Sequence, residues 1–290
     1  MLILDPTTVT DNLTPRFALP AFELLRLQGA DAEAFAQSQF ANDVSQLAPG
    51  QWQWSCWLSA KGRVLDVFAL ARLAAGDLLL ILPDGGALAL GQALQRLVFR
   101  RKVSLAIDPR PVSGCLASPA PAAGNQLAAT GDDSLCLDWG SAALPRQLHI
   151  GDSAAIVPDP QAAIGWRQAD LRLGLPRLAE DQREAWTAQQ LGLDRLNAYS
   201  VRKGCYPGQE IVARTHFLGK AKRATVLLHG IDAATIAGTA VLAGEAEIGR
   251  LACVAAPWAL AVLPLEREPQ PLLVGGQAVQ AQPLMDGLQR

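Results

Sequence analysis

The spacing of apolar and polar positions changes several times along this 290-residue chain. Residues 16–28 are largely apolar after a polar lead-in and predict a strand region. Gly29-Ala30-Asp31 then offers an N-cap at Asp31, with Ala34, Phe35 and Phe40 able to line one face of a helix. Pro49-Gly50 marks a turn. From Gln51 the texture is that of strands. Trp52, Trp54 and Trp57 crowd one run, Lys61-Gly62-Arg63 makes a tight turn into 64–73, and Ala75-Gly76-Asp77 leads into 78–82. Leu88, Leu90, Ala93, Leu94, Leu97 and Val98 recur at helical spacing and predict a helix over 86–101, followed by a strand at 103–107.

The second half is less regular. Residues 117–134, rich in Ala, Pro, Gly and Asp, predict a loop or insertion. Residues 152–161 carry two prolines and predict a return crossing, and 171–176 open a new segment. After Arg223 come short apolar runs at 225–228, 240–242, 251–255, 259–264 and 272–274, with turns at Gly230, Gly244, Gly249 and Gly275-Gly276. Short strands at such spacing predict a compact β-barrel or sandwich. The strands and packed helix before them predict a small α+β unit. No internal repeat is present.

Composition narrows the function classes. Half the residues are hydrophobic and 18% are charged, which predicts a sizeable core rather than disorder. With 25 basic and 27 acidic residues the net charge is −2, which argues against a wholesale nucleic-acid or membrane-surface binder. Five scattered cysteines (Cys56, Cys115, Cys136, Cys205, Cys253) form no C-x-x-C pair and no ligand pattern with His149, His216 or His229. A disulfide framework or a stably bound metal is therefore not expected. Cys56, Cys136 and Cys253 lie in apolar runs and read as core residues. Residues 1–5 begin no signal peptide and no apolar run is long enough for a membrane span, so a reducing cytoplasm is expected.

The segment Lys203-Gly-Cys-Tyr-Pro-Gly-Gln-Glu210 concentrates the candidate chemistry. It sets a thiol, Cys205, between a lysine and a proline-glycine turn. Pro207 suits the first turn of a helix. Backbone N–H groups at such a helix start, together with Lys203 and Arg202, would favour the thiolate. A tight glycine turn around an inert cysteine would read the same way. Tyr206 either stacks on a flat ligand or fills a domain junction, and Gln209 and Glu210 occupy the first helical turn. Residues 202–223 hold Arg202, Lys203, Arg214, Lys220, Lys222 and Arg223 against Glu210 alone. That run is either a solvated face or an anion-binding surface, and charge alone does not separate a carboxylate ligand from RNA. Asn42-Asp43 reads as a turn at a helix end.

The octapeptide resembles the K-G-C-Y-x-G-Q-E signature of the YgfZ family, the folate-binding relatives of the glycine-cleavage T-protein (aminomethyltransferase). Gln37-Ser-Gln-Phe-Ala-Asn42-Asp43-Val44 is similar to that family's Q-G-Q-x-T-N-D-V segment, with Ala41 where threonine is usual. Lys61-Gly62-Arg63-Val64 is similar to its K-G-R turn. The resemblance implies an α+β, T-protein-like ring of three domains with a central folate channel and a C-terminal β-barrel. The corresponding divisions are 1–48 with 155–222, 49–154, and 223–290. It implies tetrahydrofolate or a derivative as ligand, beside Asn42, Asp43, Lys61, Arg63, Tyr206, Gln209, Arg214 and Arg223. Cys205, tuned by Lys203, would be the reactive thiol.

Two departures bear on the activity. T-proteins carry two consecutive acids in a G-x-x-x-D-D pattern, whereas this chain has Gly62-Arg-Val-Leu-Asp66-Val67. Their R-x-E-A-G glutamate falls near Arg172 in Asp170-Leu-Arg172-Leu-Gly174. The resemblance thus implies an accessory protein for iron–sulfur cluster assembly or repair, serving client enzymes that include tRNA-modifying ones. Folate and those clients or assembly factors are the expected partners, rather than nucleic acid directly. A folate-dependent aminomethyl or one-carbon transferase is the alternative.

Overall fold

The computed structural model describes residues 15–118, 122–131, 133–151, 156–217, 219 and 221–290. The readings of residues 1–5, of 152–155 and of Lys220 lie outside the described residues.

The chain opens with β1 (Arg16–Ala18), β2 (Glu23–Gln28) and α1 (Ala32–Gln39), followed by β3 (Gln51–Leu58), β4 (Val64–Ala74) and β5 (Asp77–Leu82). Helix α2 (Ala87–Gln95) and strand β6 (Ser104–Asp108) complete a five-stranded antiparallel sheet in the order β3-β4-β5-β2-β6. Strand periodicity places Leu25, Leu27, Leu70 and Leu80 on the face covered by Phe35, Phe40, Leu90 and Leu94 of the helical layer. Leu24, Trp52, Trp54 and Ile81 face the other way, into the principal core. A sheet buried on both faces reads as continuous apolar runs, as 78–82 does.

A second sheet has the order β11-β1-β7-β10-β9-β8. It is built from β1 with β7 (Val112–Cys115), β8 (Ala128–Gly131), β9 (Ser134–Asp138), β10 (Gln147–Ile150) and β11 (Ile156–Val157). Helix α3 (Pro160–Arg172) and helix α4 (Gln209–Phe217) precede β12 (Arg223–His229), β13 (Ala240–Ala243), β14 (Ala246–Ala255), β15 (Trp258–Pro264), β16 (Leu272–Val274) and β17 (Gln277–Gln282). These last six strands close as a barrel, β12-β15-β14-β13-β16-β17, around Leu228, Val241, Leu251 and Leu263. Closure removes the exposed strand edges that so short a set would otherwise present. The tail beyond β17 returns to the first half, where the Trp54 indole donates to the Leu288 carbonyl at 2.7 Å.

Several expectations are corrected. The division at residue 48/49 cuts through a sheet, because β2 lies between β5 and β6 and shares their core. Asp31 precedes α1 but makes no side-chain cap; its carboxylate accepts the Lys102 backbone N–H at 2.6 Å. Ala34 is exposed rather than on the buried face. The helix expected over 86–101 ends at Gln95, since the chain must turn back into β6; Phe99 takes φ +49° there and is 87% exposed. The region 117–134 includes strand β8. Helix α3 replaces the expected crossing around 160. Its signals were present, with Pro160 in the first turn and the Asp159 carboxylate accepting the Ala162 N–H at 2.9 Å.

A buried ion network fastens the two sheets. Asp170, on α3, pairs with Arg146 at 2.9 Å and with Arg177 at 2.5 Å, and Arg177 also meets Asp84 at 2.8 Å. Burial lowers the Arg146 pKa below its ordinary value, and the charge of Asp170 offsets only part of that fall. Two arginines and two carboxylates balance, which is the condition for tolerating such charges away from water.

Candidate functional site

Three segments far apart in sequence meet at the signature loop. The Lys61–Arg63 hairpin tip lies directly on the start of α4. A Cβ added at Gly208, φ +78°, would sit 2.7 Å from the Ser59 carbonyl oxygen and 2.8 Å from the Gly62 Cα. One added at Gly62 would meet the Ile211 side chain at 2.7 Å. The two glycines therefore let two backbones touch, the use to which Gly is best suited.

Lys203 joins the third segment. Its side chain is buried, and its ammonium donates to the carbonyls of Gln37 at 2.7 Å, Phe40 at 2.5 Å and Asn42 at 2.9 Å. These carbonyls lie at the C-terminal end of α1, where acceptors lack helical partners and a cation is favoured. Burial lowers the lysine pKa to about 8, while the charge of Asp43 opposes the fall. The expected tuner of the thiol thus directs its charge at the end of α1.

The 37–44 segment is organised around the same point. Burial alone would raise the Asp43 pKa. Hydrogen bonds from Ser45 and Gln37, aided by Lys203, hold it below the ordinary value. The Asn42 amide donates to Trp54 O at 2.8 Å and Asn197 O at 2.6 Å. Asn197 takes φ +55°, a left-handed conformation that Asn tolerates. Asn42 is therefore committed to the protein's own backbone, and Asp43 to its neighbours Gln37 and Ser45.

The octapeptide divides sharply. Tyr206 is buried, its hydroxyl donating to Ser200 O at 3.1 Å and its ring lying 5.0 Å from the Lys203 ammonium. It fills a junction rather than offering a face to a ligand. Gln209 closes the loop by donating to Lys203 O at 3.1 Å. Pro207 belongs to the turn ahead of α4, not to its first turn, and Cys205 stands four positions before Gln209. Cys205 is exposed, whereas Cys56, Cys115, Cys136 and Cys253 are all buried. Burial pushes Cys56 and Cys253 up to about 12 and Cys136 up to about 11, so these behave as inert thiols.

Of the remaining candidates, Arg63 donates to Ala185 O at 2.9 Å and Arg223 to Ile248 O at 2.6 Å. Lys61 and Arg214 are exposed, as are Arg202 and Lys222. Among the described residues no three His, Cys, Asp or Glu side chains converge on a metal-binding position, and no helix is long and apolar enough to cross a membrane. Asp66, expected as the surviving T-protein acid, is buried and pairs with Arg183 at 3.1 Å. Burial pushes it up to about 6 against the pull of Arg183, with Asp84 adding to the rise. Arg172 stacks 5.4 Å from the Trp258 ring of the barrel.

A tRNA-modifying protein YgfZ from Colwellia psychrerythraea is 28% identical over 229 residues, spanning 73% of this chain and 70% of that protein. The chain thus resembles the YgfZ-type relatives of the glycine-cleavage T-protein. An uncharacterized protein from Haemophilus influenzae is also 28% identical, over 213 residues, 71% of this chain and 70% of its own. No family model matches. The crystal structure of the glycine cleavage system aminomethyltransferase T from Bartonella henselae superposes with a TM-score of 0.74. The match covers 95% of this chain and 86% of that one at 17% identity, and establishes the fold alone.

One cavity, of about 400 Å³, lies between α4, the 189–199 segment and the first barrel strand. Tyr199, Arg195, Thr215, His216, Thr225 and Arg223 are among its lining residues. Only Arg223 of these had been singled out from sequence. Tyr199 and Arg195 carried no local signal, because the cavity exists only where the three segments converge.

Proposed function

We propose that this chain performs a YgfZ-type role in tRNA modification, as a tetrahydrofolate-binding accessory protein that supports iron–sulfur cluster assembly or repair in client enzymes. Cys205 is its reactive thiol. The observation that carries this reading is the contrast within the octapeptide. Lys203, Tyr206 and Gln209 are bonded inward, and Cys205 is the exposed member of five cysteines. A rigidly held loop with one outward thiol can ligate iron transiently or attack an electrophile, the thiolate being the active form in both. One thiol leaves most positions of a cluster to be filled by another molecule.

The cavity supports the folate part of the reading. Its volume lies within the ordinary range for small-ligand sites, about 300–1,000 Å³. Tyr199 brings an aromatic ring to its wall. Arg223 and Arg195, the latter already paired with Asp286 at 2.8 Å, bring guanidinium groups of the kind suited to the carboxylates of a glutamate tail. Aminomethyl transfer is less well supported: Val67 replaces one acid and Asp66 is tied to Arg183.

The test is complementation of a strain lacking its own YgfZ-type protein with wild type and Cys205→Ala, followed by an assay of iron–sulfur-dependent tRNA thiolation. Rescue by wild type alone is expected, and equal rescue by both would sink the thiol assignment. Calorimetry with tetrahydrofolate tests the cavity separately. Arg223→Ala should weaken binding, and no heat at high micromolar ligand would reject folate as the ligand.

A further inference from the structure

Away from the thiol loop, the five-stranded sheet ends in an uncovered edge. Strand β6 pairs with β2 on one side, and among the described residues its outer side has no neighbour in the sheet order. The register sets Ile107 opposite Leu25 and Leu105 opposite Leu27, so all four side chains point to the α2 face. Helix α2 buries Leu25 and Leu27 but leaves Leu105 half-buried and Ile107 exposed. A groove of about 360 Å³ remains between α2 and β6, with Leu25, Leu88, Leu105, Ile107 and Arg96 in its walls. Leu88 is 61% exposed and Ile107 47% exposed. Large aliphatic side chains left open beside an unpaired edge are a feature that soluble proteins ordinarily avoid unless a partner covers them.

The charge around the groove is one-sided. Residues 96–110 carry five cations, Arg96, Arg100, Arg101, Lys102 and Arg110, against Asp108 alone. Asp108 is neutralised by Arg110 at 2.7 Å. Arg101 donates to Ala34 O and to the Ser38 hydroxyl. The side chains of Arg96, Arg100 and Lys102 are exposed and have no ion-pair partner among the described residues. The nearby Asp31 accepts only the Lys102 backbone N–H. Phe99, beside these cations, is 87% exposed.

We propose that this edge is a docking site for an extended acidic and aliphatic segment of a partner protein, which adds to the sheet as a strand beside β6. The backbone ladder would supply affinity. Alternate aliphatic side chains of the incoming strand would fall onto Leu88, Leu105 and Ile107, and carboxylates at one end would meet Arg96, Arg100 and Lys102. A period of two is what such a strand must have, because only every second side chain faces the groove. RNA fits less well: it has no aliphatic groups to fill the groove and makes no use of an unpaired strand edge.

A phage-displayed library of random ten-residue peptides, panned on the full chain, tests this, with the leading peptide then measured by fluorescence anisotropy. The expected consensus has aliphatic residues at alternate positions and Asp or Glu clustered at one end. Leu88→Asp, and separately Arg96→Glu with Arg100→Glu, should each weaken the peptide at least tenfold while leaving thermal unfolding unchanged. A proline placed at the centre of the peptide should do the same. The proposal is overturned if no such consensus emerges, or if the variants keep wild-type affinity. It is also overturned if a 20-nucleotide oligouridine binds the same residues more tightly than the peptide.

Discussion

Replacing Lys203 with methionine separates two roles that the sequence left together. In the structure the ammonium serves three carbonyls at the end of α1. Hydrogen bonds to a charged group contribute about 1.5–3 kcal/mol each, and three that share one donor do not add in full. Burial acts against them. A fall in the lysine pKa from its ordinary 10.5 to about 8 corresponds to about 3 kcal/mol. What remains is a net loss of about 2–4 kcal/mol for Lys203→Met, which also leaves three carbonyls without a donor. Urea unfolding would measure this loss. Iodoacetamide alkylation of Cys205 across pH, with Cys205→Ala as blank, would test the other role. The expected outcome is a lowered unfolding midpoint with an unchanged pH profile for alkylation in the folded protein. Stability within about 0.5 kcal/mol of wild type, the scatter of an ordinary surface substitution, together with a displaced alkylation profile, would refute the reasoning and return Lys203 to the thiol.

Gly208→Ala should cost about 2 kcal/mol or more in urea unfolding, because a Cβ at φ +78° is both strained and 2.7 Å from the Ser59 carbonyl oxygen; a neutral result would mean the hairpin and α4 do not touch. Asp170→Asn should destabilise by about 3–5 kcal/mol by leaving Arg146 and Arg177 without their shared partner, and an unchanged melting temperature would contradict the network. Burial raises Asp66 from its ordinary 3.8 to about 6, so between those values the folded state keeps a proton that the unfolded chain has released. Its contribution to stability therefore falls as pH rises through that window, by about 3 kcal/mol in all. Asp66→Asn should gain on wild type from pH 4 to pH 7, and unfolding curves with the opposite trend would reject the assignment. Tyr206→Phe should cost about 1 kcal/mol for the lost bond to Ser200 and leave calorimetric tetrahydrofolate binding unaltered, whereas a large loss of binding would assign the hydroxyl to the ligand.

By itself, the sequence determined the features that rest on local chemistry. Short apolar runs bounded by turn residues marked most of the strands of the first sheet and the closing barrel, since both signals are written in consecutive residues. The cysteines in apolar runs proved buried, and Cys205, set among Gly, Lys and Pro, proved exposed. Helix α3 was also written there, in Asp159 and Pro160, but its weak apolar periodicity hid it behind two prolines. Tertiary structure decided the rest. The placing of β2 inside the 51–108 sheet depends on pairing across 49 to 59 residues, which no local pattern records. Lys203, Asn42 and Tyr206 have side chains able to bind a ligand or the protein's own carbonyls, and only the arrival of α1 and of 197–200 brought those carbonyls within reach. Residue type set which bonds these groups could make, and folding, by bringing distant backbone acceptors within reach, selected the ones they do make.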